Sequence, residues 1–507
     1  MKYARFLIVL LVISVTCYGF SFQDSPPLKN QEEAKLKTLL KVLQRRLDQG
    51  RLLSNVSAAQ IGFSFVSGGG TTQSKYVSGT VASGVLDLQS NTPVKTTSRF
   101  LTGSIGKTFV SALSLLLVQE GRLNLDDKIE KWLGSEQWFS KLPNAHTITF
   151  RMLLNHSSGI ENHVDTDSFQ RQMLKSGSHN IRYEELIGYV LNKKPLFPAG
   201  TGYNYADTNY ILAGMIIEKV TSKPLYDSIN EKLIKPNKLD HTIPSDGVTL
   251  PDVVTGYMDA KPVIVDGKFR INPQWEWAGG GFASTAEDIA RWGALLYSGD
   301  VLNSASMEQM FSSTTTGEGA TYGLGTMITR SKWGRSYGHD GEFPGYLSDM
   351  RYYTKYKLAV CVLVSSDENP SVNNFLTNAA DDFAGIIINA TANRELSQVD
   401  QEKMQKFAEG WLDLIYAGRY DESWEQLADS LKTRYAKDRW KEVMKGTLDG
   451  SGKLQSRKMK LITYADVDAK TVLVDFDTTF SKTTIKSETV TIEVNKGDLK
   501  VKAFSRH

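Results

Sequence analysis

The stretch Leu101-Thr102-Gly103-Ser104-Ile105-Gly106-Lys107 opens an apolar run that continues as far as Gly121. Apolar residues dominate this run and a glycine ends it, so the pattern predicts a buried helix. Ser104 and Lys107 are three residues apart, which places their side chains on one side of a helix, roughly 5–6 Å apart at Cβ. A serine hydroxyl becomes a strong nucleophile when a neighbouring base takes its proton, and a lysine amine can be that base. The pair therefore predicts a nucleophile at a helix start, where unpaired backbone N–H groups can stabilise an oxyanion.

The N-terminus is typical of a secretory signal peptide. Lys2 and Arg5 precede an apolar run, Phe6 to Thr16, that is short for a membrane span. We therefore expect residues 1–20 to be removed and the mature chain to carry no transmembrane segment. The protein is predicted to be exported, to the periplasm or the extracellular space. Cys17 leaves lipoprotein anchoring as a minor alternative.

The charge, cysteine and histidine content of the chain argues against several classes of function. A net charge of +3 indicates neither a nucleic-acid partner nor binding to an anionic membrane. Cys361, in the apolar run 358–364, is the only cysteine of the mature chain, so we predict a buried thiol without an intramolecular disulfide. The histidines lack the spacing of metal ligands, and we predict neither a metal nor an organic cofactor; those considered were His146, His163, His179, His241 and His507.

The order of predicted elements divides the 507 residues into two units. An amphipathic helix over 31–49, strands, an inserted helical region, further strands and a closing helix over 372–388 predict an α/β sandwich. Its antiparallel sheet is flanked by helices. A polar linker follows, and then helices precede four strand-like segments, which predicts a small α+β cone. We therefore divide the mature chain into residues 21–392 and 393–507.

Two further motifs carry residues suited to acid–base chemistry. Tyr205, within residues 198–210, lies in a loop before an apolar helix. A tyrosine there can relay protons if neighbouring cations lower its pKa. His339 lies in a glycine-lined turn, residues 337–346, at a strand. A histidine there can face the site, and a backbone N–H after the glycines can donate to an oxyanion.

Other residues near these motifs have less specific patterns. His156, in the turn over residues 155–159, is predicted to brace a loop through hydrogen bonds rather than to titrate in catalysis. Trp275 and Trp277 either wall a substrate cleft or pack in the core. Residues 322–328 are predicted to form a strand.

Taken together, these motifs resemble those of the serine β-lactamase and penicillin-binding-protein superfamily, in particular its class C β-lactamase, DD-peptidase and esterase branch. Residues 100–132, 148–160 and 277–288 also follow the family's pattern, in the same order. The resemblance extends over about residues 30–390. It implies a β-lactamase/transpeptidase-like fold for this part of the chain.

The resemblance also implies roles for individual residues. Ser104 would be the acylated nucleophile and Lys107 its proton acceptor. Tyr205 would shuttle a proton to the leaving group and activate the deacylating water. His339 stands where relatives have lysine or histidine and would tune the electrostatics of the site. The backbone N–H groups of Ser104 and Glu342 would form the oxyanion hole.

Two departures from the family pattern bear on the substrate. The family's tyrosine motif is Tyr-Ser-Asn, whereas residues 205–207 are Tyr-Ala-Asp. Asp207 cannot donate to a substrate carbonyl unless protonated, so it either binds Lys107 or favours a cationic substrate end. Asp340 replaces the threonine or serine that helps hold a substrate carboxylate, and it would repel that group. We expect Asp207, Asp340 and Gly341 to line the substrate site.

The sequence thus predicts an exported serine hydrolase that forms an acyl-enzyme on Ser104. Its small-molecule or peptide substrate would be an ester or an amide, as for an esterase or a D-amino-acid peptidase or amidase. A β-lactamase or DD-carboxypeptidase is the alternative. A ligand-binding or sensor protein without turnover is an alternative from another class, which Asp207 and Asp340 keep open.

The C-terminal unit resembles a domain of unknown function with a cystatin-like or nuclear-transport-factor-like cone. Residues 408–412 and 420–424 and the closing strands carry this likeness. No nucleophile, base or metal cluster is evident in its sequence. We expect an accessory role, which could be dimerising, lid-forming or ligand-holding, and a homo-oligomer is left open.

Overall fold

The computed structural model describes residues 28–66, 76–173, 181–312, 314–315, 321–367, 369–391, 396–448, 452–464, 470–482, 488–495 and 497–506. The predicted signal peptide, Cys17, His179 and His507 lie outside these residues. Within the described ranges, no helix is both long and apolar enough to cross a membrane.

The helices and strands alternate along the chain in the order expected for a sandwich. The helices are α1 Leu28–Leu53, α2 Lys107–Gln119, α3 Glu130–Leu133, α4 Phe150–Leu154, α5 Asp167–Met173, α6 Tyr183–Gly188, α7 Asp207–Thr221, α8 Leu225–Ile229, α9 Ala286–Tyr297, α10 Ser304–Phe311, α11 Pro370–Thr391, α12 Gln398–Tyr416, α13 Tyr420–Glu425, α14 Asp429–Arg434 and α15 Lys437–Leu448. The strands are β1 Ala58–Val66, β2 Tyr76–Gly84, β3 Phe100–Leu101, β4 Ile243–Pro244, β5 Tyr257–Met258, β6 Lys261–Pro262, β7 Ile264–Val265, β8 Lys268–Phe269, β9 Phe282–Ser284, β10 Thr314–Thr315, β11 Thr321–Tyr322, β12 Met327–Ser331, β13 Gly334–Phe343, β14 Tyr346–Tyr353, β15 Leu358–Val364, β16 Leu454–Tyr464, β17 Thr471–Phe480, β18 Glu488–Asn495 and β19 Asp498–Arg506.

An antiparallel sheet of eight strands forms the centre of the larger unit, in the order β10-β11-β12-β13-β14-β15-β1-β2. Helices α1 and α11 contribute to the apolar core on one face, and α2, α7 and α9 to the core on the other. Strand β15 is therefore wholly buried, including Cys361, as the sequence predicted. On β1, a Cβ at Gly62 would lie 2.1 Å from the backbone oxygen of Ala286, so only glycine lets α9 pack this closely. The predicted α/β sandwich is confirmed.

Helix α2 is anchored deep in this core. The ring of Phe109 stacks on that of Trp292 from α9, with centroids 4.3 Å apart. The indole N–H of Trp292 donates to Thr108 Oγ1 at 2.8 Å. Close packing of this kind fixes the position of α2. The side chains at its first turn are therefore held in fixed positions as well.

Strand β13 presents a free edge next to that turn. Strand β12 pairs with it only from Gly334 to Gly338. Residues 339–343 therefore have no strand partner on that side among the described residues. The sequence prediction of one strand over 322–328 is wrong here, because a turn separates β11 from β12. Gly325 lies in that turn with φ of +67°, a backbone conformation that breaks a strand.

A separate helical and sheet region follows the sandwich. Strands β16 to β19 form a four-stranded antiparallel sheet, and α12 and α15 contribute to the apolar core that covers one of its faces. The other face approaches α1, where Arg45 lies 3.6 Å from Asp475 and Gln49 donates to Thr489. These contacts lie on the opposite side of the main sheet from α2. They do not support the lid-forming alternative.

Candidate active site

Ser104 and Lys107 meet at the start of α2. Ser104 lies on a 3₁₀ turn, Gly103–Gly106, that leads directly into the helix. Lys107 Nζ donates to Ser104 Oγ at 2.8 Å, and the lysine side chain is completely buried. A 3₁₀ turn has three residues per turn, so positions i and i+3 eclipse. The spacing in the sequence thus brings hydroxyl and amine together, although the turn is 3₁₀ rather than α-helical.

Two glycines let this turn approach β13. Gly103 has φ of +50°, and a Cβ there would lie 2.5 Å from the backbone nitrogen of Glu342. A Cβ at Gly341 would lie 2.1 Å from the carbonyl oxygen of Thr102 and 2.9 Å from the nitrogen of Ser104. No side chain fits at either position. The close approach brings together the two backbone N–H groups expected to form the oxyanion hole, those of Ser104 and Glu342.

Asp207 forms an ion pair with the lysine. The ammonium group of Lys107 donates to the Asp207 carboxylate as well as to the carbonyl oxygen of Gly279. The backbone N–H of Asp207 donates to Asn162 Oδ1 at 3.0 Å, which holds the start of α7 in place. Of the two roles expected for Asp207, the structure therefore shows the contact with Lys107.

Tyr205 packs against the same lysine. Its ring centroid lies 4.9 Å from Lys107 Nζ. Its hydroxyl is buried and has no hydrogen-bond partner of good geometry among the described residues. Burial raises the pKa of Tyr205 well above 10, the charge of Asp207 raises it further, and Ser104 lowers it by less. The condition under which the sequence allowed a proton relay here, a pKa lowered by neighbouring cations, is therefore not met. The phenol is protonated at neutral pH.

His339 faces the site from β13 as a neutral ring. Burial lowers the pKa of His339 from 6.5 to about 4, against a smaller opposing effect of Asp340. Its Nδ1 bonds to the carbonyl oxygen of Asp340, which can only accept, so Nδ1 carries the proton. Nε2 then accepts from the hydroxyl of Tyr322 at 2.8 Å. The His339 ring lies 6.1 Å from that of Tyr205.

His156 supports the loop that carries the tyrosine. Its Nδ1 accepts from the backbone N–H of Ala206 at 3.1 Å, and its ring lies 4.3 Å from that of Tyr205. Burial lowers the pKa of His156 well below 6.5, so the ring is neutral. The prediction that His156 braces a loop is confirmed.

A cleft of about 720 Å³ opens over these groups. Trp275 lines it and stacks on Phe343, with centroids 5.7 Å apart. Trp277 instead stacks on Tyr183 in the core. Thus one of the two tryptophans walls the cleft. The predicted site residues that line it are Ser104, Tyr205, Asp207, Asp340, Gly341 and Glu342, whereas Lys107 and His339 lie beneath the surface.

Two acidic residues of the site were not predicted. Glu276 is 5% exposed, and no described group bonds to its Oε2. Burial raises the pKa of Glu276 well above 4.5, and the charge of Asp207 raises it further, which favours the neutral carboxyl. Asp165 lines the cleft from a 3₁₀ turn, His163–Asp165. Neither belongs to a motif that the spacing of residues could reveal. Within the described ranges, no three His, Cys, Asp or Glu side chains are grouped as metal ligands.

Residues 57–383 match the family model for Beta-lactamase. The chain belongs to the β-lactamase family. It is thereby a member of the superfamily of β-lactamases and penicillin-binding proteins, as the sequence motifs indicated. Residues 407–504 match a protein family of unknown function (DUF4019), which agrees with the likeness noted for the C-terminal region.

Curated relatives and solved structures extend this finding. Penicillin-binding protein 4* of Bacillus subtilis (strain 168) is 26% identical over 333 residues, 59% of this chain and 67% of that protein. Putative penicillin-binding protein PbpX of the same organism is 25% identical over 276 residues, 53% of this chain and 62% of its own length. The chain thus spans about two thirds of these relatives or less.

Among solved structures, a D-stereospecific amidohydrolase from Streptomyces sp. has a TM-score of 0.56 and 24% identity, covering 67% of this chain and 98% of its own. The D-amino acid amidase from Ochrobactrum anthropi SV3, complexed with L-phenylalanine amide, has a TM-score of 0.57 and 24% identity, covering 70% of this chain and 99% of its own. At these identities the likeness shows a shared fold.

Proposed function

We propose that this protein is an exported serine hydrolase that forms an acyl-enzyme on Ser104 and transfers the acyl group of an ester or amide to water. The observation that carries this proposal is the 2.8 Å hydrogen bond from Lys107 Nζ to Ser104 Oγ, at the base of an open cleft. We place the catalytic machinery in residues 21–392, after a signal peptide over 1–20, and assign residues 393–507 an accessory role.

In the first half-reaction, a neutral Lys107 accepts the proton of Ser104, and Oγ attacks the substrate carbonyl. The developing oxyanion accepts hydrogen bonds from the backbone N–H groups of Ser104 and Glu342. The protonated Tyr205 donates its proton to the leaving group, and the charged Lys107 returns one proton to Tyr205. The carbon–heteroatom bond of the substrate breaks, and an ester to Ser104 Oγ remains.

In the second half-reaction, water replaces the leaving group. Water attacks the ester carbonyl, and its proton passes to Lys107 by way of Tyr205. The bond between the carbonyl carbon and Ser104 Oγ then breaks, Oγ takes a proton back from Lys107, and the carboxylic acid product leaves. Asp207 positions the side chain of Lys107 beside Ser104 through its ion pair. His339 contributes a neutral ring against Tyr205 rather than a charge.

The substrate class follows from the lining of the cleft. Asp340 stands where relatives place a hydroxyl that helps hold a carboxylate, which disfavours substrates with a free carboxylate at that position. The amidohydrolase and amidase with the same fold support an esterase or a D-amino-acid peptidase or amidase. The second candidate is a β-lactamase or DD-carboxypeptidase, in keeping with the Beta-lactamase family model and with curated relatives that are named penicillin-binding proteins.

The proposal is tested by hydrolysis of a short-chain p-nitrophenyl ester and of D-amino-acid amides by the mature protein. Ser104→Ala should reduce the rate to background. Ser114→Ala is a matched control, because Ser114 lies on the same helix but bonds only to the carbonyl oxygen of Val110 among the described groups. It should retain the rate. Equal rates for wild type and Ser104→Ala would contradict the proposal. Ligand-induced thermal stabilisation without turnover would favour the binding-protein alternative.

A further inference from the structure

A second cavity lies at the C-terminal end of α1, apart from the cleft over Ser104. It has a volume of about 630 Å³ and opens between α1, the end of β2, the β5–β6 hairpin and the segment after β15. None of the described residues lines both this cavity and the cleft. A volume of this size is typical of a ligand pocket. We call the cavity the α1 groove, and the side chains that define it are those of Asp48, Arg51, Asn91, Tyr257 and Asp367.

The α1 side of the groove offers a cation and a carboxylate that are three residues apart on the helix. Two hydrogen bonds fix the guanidinium group of Arg51: Nε donates to Ser83 Oγ and Nη1 to the carbonyl oxygen of Val56, each at 2.9 Å. These bonds use two of its five N–H groups, and the others remain to bind a ligand. Among the described residues, only Gln44 bonds to the carboxylate of Asp48. Both charged groups are therefore held in place and keep capacity for further hydrogen bonds.

The β5–β6 side of the groove carries an aromatic ring whose position is also fixed. The hydroxyl oxygen of Tyr257 accepts from the backbone N–H of Leu88 at 2.7 Å, and its carbonyl oxygen accepts from the N–H of Asp367 at 3.1 Å. The carboxylate of Asp367 accepts in turn from the backbone N–H of Asp259 at 2.9 Å. The lining is thus ordered before a ligand binds, which reduces the entropy lost on binding.

These side chains fit a ligand with many hydroxyl groups. A carboxylate only accepts hydrogen bonds and a guanidinium group only donates them, whereas a hydroxyl group does both. A polyhydroxylated molecule can therefore satisfy Asp48, Arg51 and Asp367 together. The ring of Tyr257 offers an apolar face on which the C–H groups of a sugar ring can pack.

The charges of the groove narrow the ligand further. With two carboxylates and one guanidinium group, the groove disfavours anions and has no strong attraction for a cation. Within the described ranges, no three His, Cys, Asp or Glu side chains are close enough together to hold a metal ion. A neutral molecule fits this balance of charge better than an ion does.

We infer that the α1 groove binds a neutral carbohydrate, whose hydroxyl groups bond to the charged and amide side chains of the groove while Tyr257 packs against one sugar ring. This inference goes beyond the proposed function and does not depend on it. Because the cleft over Ser104 stays open, the protein can hydrolyse its substrate while a carbohydrate is bound.

The test exposes the fluorescently labelled mature protein to an array of neutral, sialylated and sulfated oligosaccharides. Neutral members should bind the protein, and the anionic members should bind it less well. The neutral oligosaccharide with the highest signal is then titrated against each variant by calorimetry. The double variant Asp48→Ala with Asn91→Ala should weaken Kd by about tenfold or more, because each change removes a side chain that bonds to hydroxyl groups. Gln89→Ala, an exposed change in the same loop as Asn91 but outside the lining, should keep Kd within about twofold.

Three results would overturn the inference: no binding to any neutral member of the array, a signal confined to the anionic members, or an unchanged Kd in the double variant. The array uses only wild-type protein, so a folding defect cannot obscure it. Tm measured without ligand identifies a misfolded variant, and the exposed Asn91→Ala alone then replaces the double variant under the same criterion. Ser104→Ala should bind the oligosaccharide with the wild-type Kd, so a failure of the proposed function leaves this test intact.

Discussion

Lys107 and Asp207 form an ion pair at the base of the cleft, and the same ammonium group also donates to Ser104, the proposed nucleophile. The lysine is completely buried, whereas the Asp207 side chain is 17% exposed. The ion pair and the hydrogen bond to Ser104 therefore meet at one nitrogen atom, and a change at Asp207 acts directly on the group that would take the proton of Ser104.

Asp207→Asn should lower the free energy of unfolding by about 3 kcal/mol, as expected when one partner of a buried ion pair is removed. The amide keeps the shape of the side chain but removes the carboxylate that pairs with the completely buried Lys107. Denaturant titration of the wild-type protein and the variant measures the difference. Asp167→Asn serves as the control for a lost surface charge. Equal unfolding free energies for wild type and Asp207→Asn would show that the ion pair does not stabilise the fold.

Tyr205→Phe should lower kcat by about 10²- to 10⁴-fold, the usual contribution of a positioned proton donor. The buried phenol is protonated at neutral pH and lies against Lys107, so its loss removes the proton for the leaving group. Tyr203→Phe, two residues earlier in the same loop, should keep most of the activity. Comparable losses in the two variants would mean that the loop is sensitive to any change and that Tyr205 is not the donor.

Glu276→Gln should stabilise the protein increasingly as pH rises. Burial raises the pKa of this carboxyl in the folded state, whereas the unfolded chain ionises it above its ordinary pKa of 4.5. The unfolded state then binds fewer protons, so the free energy of unfolding falls as pH increases from 4.5 towards the raised pKa of the folded state. Thermal unfolding at about pH 5 and about pH 9 should show a larger gain in Tm for the variant at the higher pH. An equal gain at both would contradict a neutral buried acid.

His163 should limit stability on the acid side. Burial lowers the pKa of His163 from 6.5 to about 4, so the unfolded chain binds an extra proton in this interval. The contribution of His163 to the free energy of unfolding is fully present above pH 6.5. It is lost as pH falls towards 4, and the total loss is about 3 kcal/mol. His163→Asn should flatten the acid branch of unfolding free energy measured by denaturant titration. The exposed His146→Asn should leave that branch unchanged, and a flattening of equal size there would refute the assignment to His163.

Local spacing accounts for the part of the site that the sequence predicted. The interval between Ser104 and Lys107 is short enough that any helical turn brings the two side chains together. Tyr205 and His339 were selected from their own motifs, but their roles beside Ser104, and that of the N–H of Glu342, were expected from resemblance to a family, because spacing does not reveal contacts between distant segments. The structure places Tyr205 and Glu342 in the lining of one cleft and His339 beneath its surface.

The remaining features of the site and fold depend on burial, on contacts between segments far apart in the sequence, and on local backbone conformation. A glutamate is ordinarily a surface residue, so the sequence alone does not predict that Glu276 is buried. Only the fold brings it close enough to Asp207 and Lys107 for their charges to act on its pKa. The pKa of Tyr205 rises, because a wholly buried phenol loses solvation and the charge of Asp207 raises the pKa further. The strand predicted over 322–328 is interrupted for a local reason, the positive φ of Gly325.

The central claim is that Ser104 carries the acyl group during turnover. The most direct test mixes the wild-type protein and Tyr205→Phe with a neutral p-nitrophenyl ester, quenches the reaction in acid and maps the modified peptide by mass spectrometry. The account predicts one acyl group on Ser104, a longer-lived adduct in Tyr205→Phe and none in Ser104→Ala. An acyl group on another residue, or hydrolysis that persists in Ser104→Ala without an adduct, would contradict it.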